Sequence, residues 1–268
     1  MKALNFSLSS AVALMCLAML AGCGSVGVRA DRAKVDAINT VAVVGFAVPH
    51  KVALPSASQS EIGGSIGFIK GMVKNKGNVI KAANEGNGAQ VAPATFAGFT
   101  EEMAKDSRMK FMPTAEVTAN KNFAALLASY DESEKHSMTK NGVAGLPVIQ
   151  LKAGAEKLEF AQKAAEALGV DGVILVDFYS MGYAMHAGKS GGLYSAGAVK
   201  VEAHALYNMF DKNGQSVWAS SAFARPDVIA GLAGDEVKGD PTELHKSAGT
   251  EIAAVVKKDY QEWAKKAK

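Results

Sequence analysis

The run VAVVGFAV, which follows Thr40, constrains the fold of this 268-residue chain more than any other feature. Its residues are apolar without interruption and rich in β-branched side chains, a pattern typical of a strand that is buried on both faces of a sheet. Pro49 and Pro55 are expected to end this strand. A second run of the same kind, VILVDFYSMGY, follows Asp171 and Gly172. The chain is therefore expected to build a sheet with cover on both faces.

Three apolar stripes with helical spacing lie between these runs and predict helices that supply the cover. Gly169 is placed to cap the third helix at its C-terminus. The segment from Met109 to Met112 predicts a short strand between the first two helices. All members of the stripes are expected to face the core: Phe96, Phe99 and Met103; Phe123, Leu126, Leu127 and Tyr130; and Leu158, Ala161, Ala165 and Leu168.

Apolar and polar residues alternate after Ala198, which predicts an antiparallel strand with one wetter face. The DKNG sequence at 211–214 predicts a turn, and QSVWASSAF predicts the strand that returns from it, so that the two strands form a hairpin. The residues expected to point inward are Val199, Val201, Ala203, Ala205 and Tyr207. Those expected to point outward are Lys200, Glu202, His204 and Asn208.

The C-terminal segment predicts a long helix. Asp240 is expected to be its N-cap, with Pro241 at the first helical position and Glu243 three residues after the cap. The buried stripe of this helix is predicted to contain Ile252, Val255, Val256, Tyr260 and Trp263. Residues 37–268 are therefore expected to form a single α/β or α+β domain, a mixed sheet with an antiparallel hairpin, covered by helices.

The N-terminus predicts a signal peptide over residues 1–22. Lys2 precedes an uncharged apolar run at 9–22, which is too short to span a bilayer comfortably. The run closes with four residues that resemble the lipobox of bacterial lipoproteins: Leu20, Ala21, Gly22 and Cys23. This resemblance implies cleavage before Cys23 and attachment of lipid to its thiol. An ordinary secretory signal and an uncleaved anchor, with Cys23 incidental, are the alternatives.

Lipidation would leave the mature chain without a free thiol, since Cys16 lies inside the predicted signal peptide. Disulfides, thiolate metal sites and cysteine nucleophiles are then excluded. Gly24 stands where an Asp would indicate inner-membrane retention in the best-known Gram-negative sorting system. By that resemblance the outer membrane is the expected destination, with the domain facing the periplasm. Residues 23–36 lack a hydrophobic period and predict a tether.

The composition excludes several classes of protein. With 49% hydrophobic and 21% charged residues, the chain is neither disordered nor multispanning. A formal net charge of +3 is too small to predict a nucleic-acid surface. The sequence GKS at 188–190 resembles part of a phosphate-binding loop, but Tyr183 occupies the position of the required first glycine and no helix is predicted to follow. We therefore expect a glycine-rich hairpin tip there and no nucleotide.

No catalytic, cofactor-binding or metal-ligating residue is predicted. The serines show no nucleophile-elbow pattern, and the acidic pair Glu101 and Glu102 is expected on a solvated helix face. The histidines lack metal-ligand spacing, and each is expected at the surface or in a hairpin. They are His50, His136, His186, His204 and His245.

The sequence IGGSIGFIKGMV at 62–73 is not explained by an ordinary core. Glycine gives this segment conformational freedom, and its apolar side chains need cover. It is predicted either to pack against its own domain or to contact a membrane, a partner or a second subunit. The candidate contact residues are Ile66, Phe68, Ile69 and Met72.

Four segments carry a resemblance to a known group of domains: VAVVGF, EMAKDSRMKFM, AAEALGVDGVILVDFYSMGY and VEAHALYNMFDKNGQSVWASS. Over about two thirds of the chain, their succession resembles the domain shared by three kinds of bacterial envelope protein. These are the curli secretion-channel lipoproteins, the lipoprotein activators of penicillin-binding proteins and the Tol-system propeller protein, which carries the domain at its N-terminus. In that group the domain is an assembly and docking module rather than an enzyme.

The resemblance implies a non-catalytic lipoprotein, held at the outer membrane by its lipid, that binds another envelope protein or a second copy of itself. The alternative is a subunit of an oligomeric secretion channel, with residues 62–73 or 184–197 as the membrane contact. The short, glycine-rich linker at 184–197 does not favour a channel, because it lacks the alternation of a membrane-spanning hairpin. An envelope hydrolase has no constellation of residues behind it.

Overall fold

The computed structural model describes residues 28–50, 52, 88–130, 140–143, 145–148, 155–186, 198–233, 236–238 and 241–266. The predicted signal peptide, the lipobox with Cys23, the candidate contact residues Ile66, Phe68, Ile69 and Met72, and the GKS sequence lie outside these residues. The described strands are β1 (Arg29–Ala30), β2 (Thr40–Pro49), β3 (Lys110–Phe111), β4 (Lys140–Gly142), β5 (Gly172–His186), β6 (Ala198–Asp211), β7 (Ser216–Ala224), β8 (Ala230–Ala233) and β9 (Glu236–Lys238). The described helices are α1 (Arg32–Asp36), α2 (Gly88–Met103), α3 (Thr114–Ala119), α4 (Lys121–Ala128), α5 (Ala155–Leu168) and α6 (Pro241–Lys266).

The described strands form one mixed sheet, which confirms the predicted single α/β domain. Its main order is β1-β7-β6-β5-β2-β3. Strand β5 runs parallel to β2 and antiparallel to β6, and β6 runs antiparallel to β7. Strand β4 pairs with the far end of β2, while β8 pairs with the start of β6 and with β9. The two strands predicted from uninterrupted apolar runs, β2 and β5, are therefore neighbours at the centre of the sheet.

Helices α2 and α6 pack together over one face of the sheet, where the aromatic core lies. On this face Phe46 of β2 contacts the rings of Phe99 and Phe178 at centroid distances of 5.7 and 5.3 Å. Tyr207 of β6 and Trp218 of β7 continue the cluster, with centroids 4.7 Å apart. These rings interlock strands and helices, so burying them stabilises the sheet and its helical layer together.

Helix α5 covers one end of the opposite face, where the ammonium of Lys157 lies 5.8 Å from the Phe210 ring centroid. The helix forms where predicted, and Gly169 follows it with φ +67. The prediction that Leu158 faces the core is wrong, because its side chain is 42% exposed. The buried stripe includes Phe160 and Ala164, and Leu158 lies about a third of a turn from Ala164 around the helix.

The expected tether is wrong over its last residues, which belong to the domain. Strand β1 pairs antiparallel with β7, placing Arg29 opposite Ala219. Helix α1 follows, and the side chain of its N-cap Asp31 accepts a hydrogen bond from the backbone nitrogen of Lys34 at 3.2 Å. Val35 of this helix is buried. A two-residue strand and a five-residue helix are too short to produce a detectable hydrophobic period.

Candidate functional site

The described residues offer little that resembles an active site. They contain no group of three or more His, Cys, Asp or Glu side chains arranged to hold a metal ion. Nor do they contain a helix with the length and apolar character needed to cross a membrane. The features that could take part in function are His204 and His245, two depressions and one exposed aromatic surface.

His245 is buried in α6, so the expectation of a surface or hairpin position is wrong for this residue. Its Nε2 atom lies 2.8 Å from the hydroxyl of Tyr183 on β5, and desolvation lowers its pKa from 6.5 to about 4. Its Nδ1 atom has no hydrogen-bond partner among the described residues. The pair therefore links the sheet to α6 with a neutral imidazole.

The two depressions are shallow, with volumes of about 460 and 220 Å³, and both include Asp171 and Lys212 near the β6–β7 turn. Asp171 already serves the fold, because its Oδ2 atom accepts hydrogen bonds from the backbone nitrogen and hydroxyl of Thr40 at 2.9 and 3.0 Å. Burial would raise the pKa of Asp171, but these hydrogen bonds outweigh burial and lower it. The carboxylate is therefore held ionised as a link between two chain segments.

The outer face of the sheet beyond α5 carries an aromatic row that crosses three neighbouring strands. His204 of β6 stands between Tyr179 of β5 and Phe223 of β7, with ring centroids 5.7 and 4.6 Å away. Tyr179 is 47% exposed and Phe223 is 46% exposed. We call these three residues the aromatic ladder, and the sheet surface around them the open face.

Strand register builds the ladder. His204 pairs directly with Phe223, so their side chains project from the same face. The β5–β6 register shifts between Phe178 and Ser180, and Tyr179 sits at this irregularity. A bulge of this kind re-aims a side chain and is common beside functional surfaces. Sequence alternation placed His204 correctly on the wetter face, but it missed Tyr179 and Phe223.

Ion pairs border the ladder on the same sheet. Glu202 of β6 pairs with Arg225, which follows β7 and is about half exposed. Lys200 pairs with Asp227 at 2.6 Å. An exposed aromatic centre with a polar rim is the usual composition of a protein-binding surface. The open face therefore combines exposed aromatic side chains with ion pairs along its border.

A second charged border lies on the side of α5 and β4. Lys140 pairs with Asp177 of β5, and Lys157 of α5 lies near the same carboxylate. Burial lowers the pKa of Lys157, and the charge of Asp177 acts against this shift. These groups separate the ladder from the surface that α5 covers.

Glu102 departs from the expectation of a solvated helix face, whereas its neighbour Glu101 is exposed. Glu102 accepts from the ammonium of Lys257 on α6 at 2.6 Å, and both side chains are only about 15% exposed. Burial would raise the pKa of Glu102, but bonds from Lys105 and Lys257 outweigh burial and lower it. This contact joins α2 to α6 and lies on the helical side of the sheet.

Comparison with protein-family models and with curated protein sequences finds no match to this chain. The large apolar side chains exposed among the described residues are Leu158, Tyr179, Phe223, Val228 and Ile229. Of these, Tyr179 and Phe223 lie on strands of the sheet.

Proposed function

We propose that this chain is a non-catalytic lipoprotein, anchored to the outer membrane through Cys23, that docks another envelope protein on the open face. The observation that carries the proposal is the exposed row of Tyr179, His204 and Phe223 across three rigid strands. Aromatic side chains supply large contact areas at low entropic cost and are enriched in protein interfaces.

Two further features support a docking function over an enzymatic one. The two depressions described above are shallow, and neither of them is lined by the buried pair Tyr183 and His245. An enzyme of this size would be expected to bury most of a small substrate in a pocket. A flat, aromatic and charge-bordered surface suits a protein partner instead.

The sequence at 20–23 and its position after an apolar run support the proposed anchor. Two or more acyl chains would hold the domain stably at the membrane, whereas one chain alone binds marginally. Mass measurement of the protein extracted from membranes is expected to find the chain beginning at a lipid-modified Cys23. An unmodified thiol, or a chain that retains residues 1–22, would contradict the anchor.

The docking surface is tested by replacing Tyr179 and Phe223 together with Ser. Both side chains are about half exposed, so the double variant is expected to fold. Leu158→Ser, at an exposed apolar position of α5, is the matched control. After crosslinking of intact cells with formaldehyde, the wild type and the control are expected to give a species of higher mass, and the double variant is expected to lose it. Retention of that species in a folded double variant would contradict the proposal.

A channel subunit is the second candidate, favoured by the long pairing of β5 with β6 and by the β8–β9 hairpin beside it. However, β8 has four residues and β9 has three, whereas a strand that crosses a membrane needs about 9–11. Permeabilised liposomes and rings seen by negative-stain microscopy would favour the channel. Monomers that leave liposomes sealed at high protein concentration would favour the docking module.

A further inference from the structure

The register of β1 on β7 shows in which direction the chain runs from Arg29 toward Cys23. Arg29 pairs with Ala219 and Ala30 pairs with Trp218, so the two strands are antiparallel. Followed toward its N-terminus, β1 therefore points along β7 in the direction of Ala224 and Arg225. The opposite direction along β7 leads to the turn at 211–214.

The distance available to the lipid is short. Cys23 is six residues before Arg29, and an extended chain advances at most about 3.6 Å per residue. The lipid attachment point therefore lies within about 20 Å of Arg29. Ala219 and Arg225 are also six residues apart, which corresponds to about 20 Å along a strand. The membrane surface must therefore lie close to the domain. Either end of β7 is within the distance that the chain between Cys23 and Arg29 can span.

The two ends of β7 differ in the surface that they offer to a membrane. Beyond Arg225, the adjacent residues Val228 and Ile229 are 41% and 48% exposed. The other end carries the polar turn in which Lys212 and Asn213 are exposed. Adjacent exposed aliphatic side chains gain free energy by entering the apolar part of a lipid interface. An exposed lysine gains only electrostatic attraction to anionic headgroups, and an exposed amide gains neither.

We infer that the end of the sheet that carries Val228 and Ile229 rests on the lipid surface, with the strands standing upright on the membrane. This inference rests on the proposed lipid anchor at Cys23 and adds an orientation to it. The open face then looks sideways, parallel to the membrane plane, and is presented to a partner that stands beside the domain in the periplasm.

The test uses the lipidated protein, purified from membranes and returned to vesicles of phosphatidylethanolamine and phosphatidylglycerol. A single cysteine is introduced as Ile229→Cys or, as the matched control at the other end of the sheet, as Asn213→Cys. Each is labelled with an environment-sensitive fluorophore, and vesicles with and without a lipid-borne quencher are compared. We expect at least threefold stronger quenching at position 229 than at position 213. In the label-bearing variant Asp227→Cys, the further changes Val228→Ser and Ile229→Ser are expected to reduce quenching while the protein stays on the vesicles.

Equal quenching at the two positions, or stronger quenching at position 213, would overturn the orientation even though the protein is lipidated. A protein whose mass shows an unmodified Cys23 and that does not float with the vesicles would contradict the proposed anchor, and the orientation with it. Mass measurement on each preparation separates the two failures.

Discussion

The hydroxyl of Tyr183 lies 2.8 Å from Nε2 of His245, and this contact joins the central strand β5 to the C-terminal helix α6. Both residues are buried on the face of the sheet that the long helices cover. Because burial disfavours the imidazolium ion, the histidine is neutral in the folded protein over most of the pH range. The packing of β5 against α6 therefore depends on the protonation state of His245.

His245 is expected to make stability fall in mild acid. Its pKa is about 4 in the folded chain, against 6.5 ordinarily, so only the unfolded chain binds the proton between these values. The stabilisation is complete above pH 6.5 and is lost as the pH decreases toward 4. Between pH 7 and pH 5, the free energy of unfolding of the wild type should decrease by about 2 kcal/mol more than that of His245→Leu, as measured by urea titration. Tyr183→Phe, which keeps the histidine buried, should retain the wild-type pH dependence, and an equal dependence in wild type and His245→Leu would contradict the assignment.

Gly98 and Gly249 are expected to resist substitution because α2 and α6 approach each other closely there. A Cβ atom on Gly98 would lie 1.9 Å from the carbonyl oxygen of Lys246, and one on Gly249 would lie 1.9 Å from that of Thr95. Alanine normally stabilises a helix relative to glycine. A decrease in the free energy of unfolding on Gly→Ala substitution would therefore indicate the close approach of the two helices. Gly249→Ala should lower the free energy of unfolding by about 1–3 kcal/mol. Ala97→Ser, on the same helix as Gly98, should change it by about 0.5 kcal/mol or less; stabilisation by Gly249→Ala would refute the close approach.

The Glu102–Lys257 pair is expected to contribute measurably to stability, unlike the ion pairs of the surface. The ammonium of Lys257 also donates to the backbone carbonyl of Glu102 at 2.7 Å, so its removal leaves two acceptors without this donor. Lys257→Met should cost about 1–3 kcal/mol in chemical denaturation. Its neighbour Lys258, whose contact with Glu262 is long and exposed, supplies the control, and Lys258→Met should cost less than about 0.5 kcal/mol. Equal costs for the two variants would contradict the difference in burial.

The elements that could be predicted from the sequence are those whose pattern is local. The apolar runs identify β2, whose residues 41–48 are all buried, and β5. Strand β5 differs from the expectation of cover on both faces, because Tyr179 and Ser180 are exposed. Alternation and the DKNG turn identify the hairpin, whose Gly214 has the positive φ that such a turn requires. Helix α6 is recognised by its proline start and long apolar stripe.

The remaining features depend on contacts between distant parts of the chain. His245 lies seven residues before Ile252, on the buried stripe of α6, so helical spacing alone indicates its burial. Its contact with Tyr183 of β5 is not indicated by any local pattern. The ladder requires the register of β5, β6 and β7, since Tyr179, His204 and Phe223 show no common local pattern. Strand β1 acquires its structure only from the edge of β7 that it joins.

Residue-specific photo-crosslinking in intact cells tests the proposed docking function most directly. A photoreactive amino acid is placed at Phe223 on the open face in one strain and at the exposed Glu116 of α3, as a control, in another. Because a photoreactive group bonds only to what it touches, the docking account predicts an adduct of one defined mass from position 223 and none from position 116. Adducts from position 116 alone, or no adduct from position 223 in a protein that is folded and membrane-bound, would contradict it.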